Sequence, residues 1–291
     1  MQKSTGRSYI SFIGSMLIFG TIGIFRRYIP ISSALLAFTR GMMGSACLLI
    51  FLLLSRKKPL KSINKANVLP LVISGAFMGL NWILLFEAYS YTTIATATLC
   101  YYMQPTILIL LSPLIFKEKL GGRKLVCAGV SLLGMVLVSG VLASSSFEPS
   151  EYKGVLLGLG AAVLYAAVVI CNKLLTDVDS YDRCIIQLFS AAAVLIPYLA
   201  LSGNAGAYDL TNVAVIMIII VGLVHTGLAY VLYFSGMKDL SAQSVAVLGY
   251  IDPVSSMILA ALILGERMSA GGLAGAVMII GATLYSELKC N

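Results

Sequence analysis

Ten apolar stretches, each close to the ~20 residues a helix needs to cross a lipid bilayer, follow one another along this chain. They lie at 9–25, 33–54, 68–89, 95–116, 124–142, 152–174, 183–201, 213–234, 242–264 and 271–287. The breaks between them are short and rich in turn formers, among them Pro30, Pro59, Gly121-Gly122, Ser144-Ser145-Ser146 and the stretches 177–182 and 203–206. The pattern predicts an all-α membrane protein, a compact bundle of ten transmembrane helices. Composition agrees: 59% of residues are hydrophobic and 11% charged, against about 25% charged in a soluble domain. Too little polar surface remains to solvate a globule or a disordered chain. The formal charge of +8 comes without an aromatic-interleaved basic patch or zinc-ligand spacing, so nucleic acid is not an expected partner.

The six cysteines (Cys47, Cys100, Cys127, Cys171, Cys184 and Cys290) sit mostly inside or against apolar runs, where they act as small hydrophobes, and they imply no disulfide framework. The first apolar run continues into Phe25, Arg26 and Arg27 without a small-residue cleavage motif, and is expected to be a retained helix. With the N-terminus in the cytoplasm, inside segments hold fifteen of the 20 Lys and Arg residues. The outside holds Arg26, Arg27, Lys153 and Arg267, and Arg40 falls within a helix. That asymmetry places both termini inside a cytoplasmic (inner) membrane. Arg26 and Arg27 run against it, accounted for only by snorkelling at a helix end.

An internal repeat constrains the architecture further. At an offset of 148, Gly79-Leu80 falls on Gly227-Leu228, Phe86 on Phe234, Tyr102 on Tyr250, Pro105 on Pro253 and Glu118 on Glu266. A one-residue gap then brings Leu132-Leu133-Gly134 onto Ile279-Ile280-Gly281, and Asn67-Val68 falls on Asn212-Val213 at a slightly smaller offset. The chain thus divides into residues 1–145 and 146–291. Each unit holds five helices, an odd number, so the second is expected to be inverted relative to the first. Inverted repeats belong to alternating-access transporters, with the substrate near midplane between the halves.

The paired signatures Tyr101-Tyr102-Met103-Gln104-Pro105 with Phe116-Lys117-Glu118-Lys119-Leu120, and Gly249-Tyr250-Ile251-Asp252-Pro253 with Leu264-Gly265-Glu266-Arg267-Met268, carry a resemblance that covers nearly the whole chain. The sequence resembles the ten-helix EamA-type transporters of the drug/metabolite transporter superfamily. The tryptophan or tyrosine usual near the start of each repeat is here Phe19 and Tyr165. The resemblance implies a secondary active transporter, an exporter of small polar metabolites with amino acids first; multidrug or amine efflux is the alternative. An intramembrane enzyme is a remote third. It would need a catalytic set, and the chain has one His, no HExxH or GxSxG motif and one deep acid. No cofactor and no metal site is expected. A channel is disfavoured because Gln104 opposite Asp252 makes no symmetric polar ring.

Several residues could line a substrate site. Pro105 and Pro253 interrupt their helices near the middle and free the carbonyls four residues earlier, either as packing kinks or as breaks lining a cavity. Asp252 precedes the second proline near the bilayer centre, where an aspartate costs about 2.5 to 3.5 kcal/mol. It either bonds across helices for packing or binds a substrate ammonium or a proton. Gln104 holds the matching place in the first half and cannot titrate. The two are expected to face one shared cavity. His225, the only histidine, is a buried structural residue or a proton relay with Asp252 as partner. Arg40 either snorkels outward or binds a carboxylate. Asn81, Trp82, Tyr101, Tyr230 and Tyr250 supply further polar and amphipathic groups for a small-molecule pocket, and Tyr102, Tyr165 and Tyr233 add rings. Glu87 is expected to be solvated. Glu118 and Glu266 each precede a helix start, where a carboxylate meets free backbone donors. The spacings Gly75/Gly79, Gly154/Gly158 and Gly271/Gly275 read as packing within the bundle; the last could also seam a weak homodimer of an otherwise monomeric protein.

The topology is open to direct test. In a background controlled for native thiols, Ser145→Cys should react with an impermeant thiol reagent in intact cells and Ser62→Cys only after permeabilisation. The reverse pattern would contradict the orientation.

Overall fold

The computed structural model describes residues 2–26, 28–92, 94–119, 121–139, 151–175, 177–202, 208, 210–264 and 270–287, and every regular element among them is helical. In chain order these are α1 (Gln2–Arg26), α2 (Ser33–Leu54), α3 (Lys65–Tyr91), α4 (Ile94–Tyr101), α5 (Gln104–Phe116), α6 (Gly122–Ser139) and α7 (Glu151–Leu174). There follow α8 (Ser180–Ser202), α9 (Asn212–Gly222), α10 (Ala229–Met237), α11 (Ala242–Leu248), α12 (Ile251–Leu264) and α13 (Ala270–Glu287). A π-helical turn over Leu223–Leu228 joins α9 to α10. The fourth and ninth apolar segments are therefore each two helices meeting at a break, α4–α5 and α11–α12.

Seven stretches among the described residues are long and apolar enough to cross a membrane: Gly6–Arg26, Ser33–Leu54, Lys65–Tyr91, Ala97–Phe116, Tyr152–Leu174, Ser180–Leu201 and Asn212–Met237. Their outer faces carry rows of exposed aliphatic side chains such as Leu69, Leu114, Leu156, Ile196 and Ile216, the surface that hydrocarbon solvates in a multi-pass membrane protein. Of the ten expected spans, those at α6, α11–α12 and α13 do not reach the same length and hydropathy among the described residues.

Helix starts are fixed by side-chain caps. Ser32, Thr211 and Ser241 accept from the backbone amides of Leu35, Ala214 and Ser244, and Asn64 forms a reciprocal capping box with Asn67. Arg26 closes the turn after α1 by donating to the carbonyls of Ile29 and Ile31. That local bond accounts for a cation the charge asymmetry left unexplained; Arg27 lies outside the described residues. In the second half a different arginine closes the turn after α7: Arg183, near the start of α8, donates back to the carbonyls of Asn172, Leu175 and Val178.

Packing between the halves runs in exchanged pairs. α3 lies against α7 and α8, α1 against α10 and α12, α2 against α8, and α6 against α13. Close approach depends on glycine. A Cβ at Gly75 would stand 2.6 Å from the Gln187 carbonyl oxygen, and one at Gly79 2.6 Å from that of Ala191. These two and Gly154/Gly158, which meet Thr92 and Ala97–Cys100, thus serve packing inside the bundle. The Gly275 carbonyl likewise borders Gly134 across the α6–α13 contact.

Gly79→Ala should lower the melting temperature of the detergent-solubilised protein, because overpacking a close contact costs about 1–3 kcal/mol. Gly129→Ala, with nothing within 4 Å of its Cβ position, should not lower it, since alanine is the better helix former. Equal melting of the two variants would contradict the α3–α8 contact.

Candidate functional site

The two helix breaks form the centre of the site. Just before each proline the ladder tightens from four-residue to three-residue bonds. Tyr102 N–H donates to the Thr98 carbonyl (2.9 Å) and Met103 N–H to that of Cys100 (3.1 Å); Gly249 N–H donates to Val245 (3.0 Å) and Tyr250 N–H to Val247 (3.2 Å). Pro105 then falls in the first turn of α5 and Pro253 third in α12, positions whose amide has no intrahelical partner. The breaks touch through the repeat-related tyrosines. The Tyr102 hydroxyl donates to Asp252 Oδ2 (3.4 Å), while the Tyr250 hydroxyl donates to the Tyr102 carbonyl (3.5 Å) and meets Thr106 Oγ1 at 3.4 Å. Each half thus supplies a tyrosine that bonds a polar group at the other half's break.

Beside these breaks lies a cavity of about 680 Å³, within the usual range for small-molecule sites. Its wall includes Arg40, Asn81, Trp82, Tyr101, Tyr230, Asp252 and Pro253 from the sequence-predicted set. Gln104, Pro105, Tyr250 and His225 are not on it. Gln104 and Tyr250 are buried behind the breaks, so the pairing of Gln104 with Asp252 across one cavity is replaced by the pairing of Tyr102 with Asp252. Gln104, first in α5, and Asp252, second in α12, differ in their packing: α12 lies on α1, where Gly20 lets the chain approach Asp252 and Ser255.

Two opposite charges meet the cavity without an ion pair between them. The Asp252 carboxylate accepts only the long Tyr102 bond, while its backbone carbonyl accepts from Ser255 Oγ at 2.9 Å. Arg40 Nε donates to Thr226 Oγ1 (3.1 Å), its guanidinium carbon stands 5.3 Å from the Trp82 ring centroid, and the Tyr230 hydroxyl is within its reach. Thr226 is held in turn by the π turn: its hydroxyl donates to the Val221 carbonyl, five residues back, at 3.0 Å. The widened turn presents a side chain at a phase that a regular helix would not, as π-helical turns at functional sites do. Sequence periodicity gives no signal for such a turn, so nothing in the sequence marks Thr226 as a site residue.

Aromatic rings complete the wall. Tyr101 stacks on Tyr165 (centroids 5.5 Å, planes 8° apart), Phe19 meets Tyr230 edge-on at 5.2 Å, and Tyr165 and Tyr233 hydroxyls lie 3.5 Å apart. Both family-signature positions, Phe19 and Tyr165, are therefore on the cavity. Asn81 belongs to it as well, with its amide donating to the Ala161 carbonyl.

Three side chains have partners other than those expected. His225 Nε2 bonds Thr21 Oγ1 at 2.7 Å and its ring meets Phe25 edge-on at 4.6 Å; its partners are on α1, and Asp252 bonds Tyr102 instead. Glu87, expected to be solvated, accepts from the Tyr198 hydroxyl at 2.7 Å. Glu118 accepts from the backbone amide of Ala242 at 2.9 Å, the first amide of α11 in the other half and not of the helix that follows it. Lys124 donates to Ser241 and Ser244 beside it. Glu266 lies outside the described residues. Among the described residues no cluster of metal-ligating side chains occurs.

A bundle of apolar helices around a polar, aromatic-walled cavity is the form of a membrane transporter. The profile of the EamA-like transporter family matches residues 6–140 and again 152–286, so the chain belongs to that family, within the drug/metabolite transporter superfamily. An uncharacterized transporter, YxxF of Bacillus subtilis (strain 168), is 28% identical over 99% of this chain and 91% of its own. An uncharacterized transporter of Archaeoglobus fulgidus is 25% identical over 94% and 93%, and protein PecM of Dickeya dadantii 27% identical over 74% and 72%. One crystal structure shares the fold at a TM-score of 0.85, covering 97% of both chains at 19% identity.

Water access to the cavity can be read chemically. In a cysteine-free background, Ser256→Cys on the cavity wall should react with a small water-soluble thiol reagent, and Ser112→Cys, fully buried, should not. Equal labelling of both would contradict the cavity.

Proposed function

We propose that this chain is a secondary active transporter of small zwitterionic metabolites, amino acids first. The carrying observation is that Arg40 of the first half and Asp252 of the second border one cavity without pairing. Two buried opposite charges left apart are costly unless something joins them, and a carboxylate and an ammonium on one small molecule would. The aromatic wall suits the apolar remainder of such a substrate. Arg40 disfavours a purely cationic drug or amine, which would meet like charge.

Transport proceeds by alternating access between two five-helix units, residues 1–145 and 146–291, the second inverted. The double match of one family profile, the exchanged helix contacts and the 148-residue offset support that arrangement. Export from the cytoplasm across the inner membrane, with both termini inside, follows the family resemblance and the Lys/Arg asymmetry. The working unit is a monomer or weak homodimer. Asp252 is the candidate for proton coupling; His225, held by Thr21, is the weaker one.

Proteoliposome uptake of amino acids, amines and sugars, with and without a pH gradient, tests this. Arg40→Gln should weaken zwitterion transport by about thirtyfold or more, the equivalent of losing about 2 kcal/mol from a buried charged contact, and should spare amines. Under proton coupling, Asp252→Asn abolishes gradient-driven accumulation and keeps substrate exchange; under ammonium recognition it weakens binding at every pH. Full gradient-driven activity in both variants would refute the site.

A further inference from the structure

A second cleft, of about 640 Å³, opens at the C-terminal end of α2, roughly 20 Å along that helix from Arg40 at about 1.5 Å per residue. Four cations border it: Arg56, Lys57, Lys58 and Lys61. Cations beside a span orient a membrane protein, and a loop that merely carries charge needs no fixed shape. This one has a fixed shape. The Arg56 and Lys57 amides close the end of α2 on the carbonyls of Leu53 (3.1 Å) and Leu52 (3.0 Å), with Arg56 and Leu60 both in the left-handed region (φ 55° and 57°). The buried Asp182 at the start of α8 then holds the loop. Its carboxylate accepts from the amides of Leu60 (2.8 Å) and Ser62 (2.9 Å) and from the Ser62 hydroxyl (2.7 Å).

Those bonds also decide the charge balance. The oxygens of Asp182 are taken by backbone and hydroxyl donors, and Asp179 Oδ1 accepts from the Tyr181 amide at 2.9 Å. Neither acid forms an ion pair with the four cations, whose side chains are exposed. The floor is aromatic: Lys57 Nζ lies 5.9 Å from the Tyr181 ring centroid, and Tyr181 stacks on Phe51 at 5.7 Å. Directly before the cations, α2 presents Ile50, Leu53 and Leu54, which are 55%, 57% and 80% exposed. Apolar side chains for hydrocarbon thus run straight into clustered cations at a helix end, where the headgroup layer begins.

We propose that this cleft binds the phosphate of an anionic phospholipid headgroup, with the acyl chains along Ile50, Leu53 and Leu54. Clustered Lys and Arg beside a membrane span are the general chemistry of such recognition. A free inorganic anion would use the same cations but has no use for the apolar row. The site is independent of which substrate the central cavity takes.

The experiment is native mass spectrometry of the full-length detergent-solubilised protein in equimolar phosphatidylglycerol and phosphatidylcholine. The wild type should retain phosphatidylglycerol preferentially. Lys57→Gln, Lys58→Gln and Lys61→Gln should each reduce that adduct about fivefold, the effect of about 1 kcal/mol per charge near the membrane surface. These three side chains are exposed, and the melting temperature of each variant checks its fold. Lys238→Gln, outside the cleft, should leave retention unchanged, and Lys58→Arg should keep it. Equal retention of the two lipids by the wild type, or undiminished phosphatidylglycerol in the three Gln variants, would overturn the proposal. Displacement of the lipid by millimolar inorganic phosphate would assign the cleft to a free anion and overturn it as well; persistence of the adduct supports the lipid.

Discussion

A helix interrupted within an apolar bundle exposes amides and carbonyls that hydrocarbon cannot satisfy, and this chain has two such breaks, at α4–α5 and α11–α12. It meets the constraint by setting the breaks against each other. Tight three-residue bonds absorb the backbone groups on the near side of each break, prolines begin the far side where a missing amide is harmless, and Tyr102 and Tyr250 bond the polar groups of the opposite break. The polar centre of the molecule, including the placement of Asp252 at the cavity wall, depends on this crossed arrangement. Replacing either hydroxyl would leave a polar group in the interior short of a partner.

The second device is the π turn between α9 and α10. It inserts a phase change that brings Thr226 to Arg40 and His225 to Thr21. Arg40 is thereby held over Trp82 on the cavity side of α2, so that a cation able to snorkel outward is kept inside. One hydroxyl, itself fixed by the Val221 carbonyl, sets where the positive end of the site stands, while Tyr102 sets the negative end. Gly44 lets α2, which carries Arg40, come close to the π turn: a Cβ there would stand 2.9 Å from Thr226 Cγ2.

Much of this was legible in the sequence, though unevenly. Apolar run lengths gave the helical rods, and the 148-residue offset put Tyr102 with Tyr250 and Pro105 with Pro253 before any contact was known. Asp252, Arg40, Trp82, Tyr101 and Tyr230 could be picked as polar or amphipathic groups too deep to be idle. What escaped depends on rotation and on pairing across the halves. The repeat alignment made Gln104 the counterpart of Asp252 but carries no information on which way two equivalent helices turn, and Gln104 packs behind the break. The π turn leaves no mark in the hydrophobic period, hiding Thr226 and redirecting His225. Glu118 does meet a free helix-start amide, yet that amide belongs to α11, a contact between segments more than a hundred residues apart.

The central claim is that Arg40 and Asp252 recognise the two ends of one zwitterion. Calorimetric binding to the purified protein of an aliphatic amino acid, the amine lacking its carboxylate and the acid lacking its amine tests it most directly. The amino acid should bind about tenfold or more tighter than either truncated ligand, since each lost charged hydrogen bond is worth about 1.5–3 kcal/mol. An amine that binds as tightly as the amino acid would contradict the account, because Arg40 would then have no part in holding the substrate.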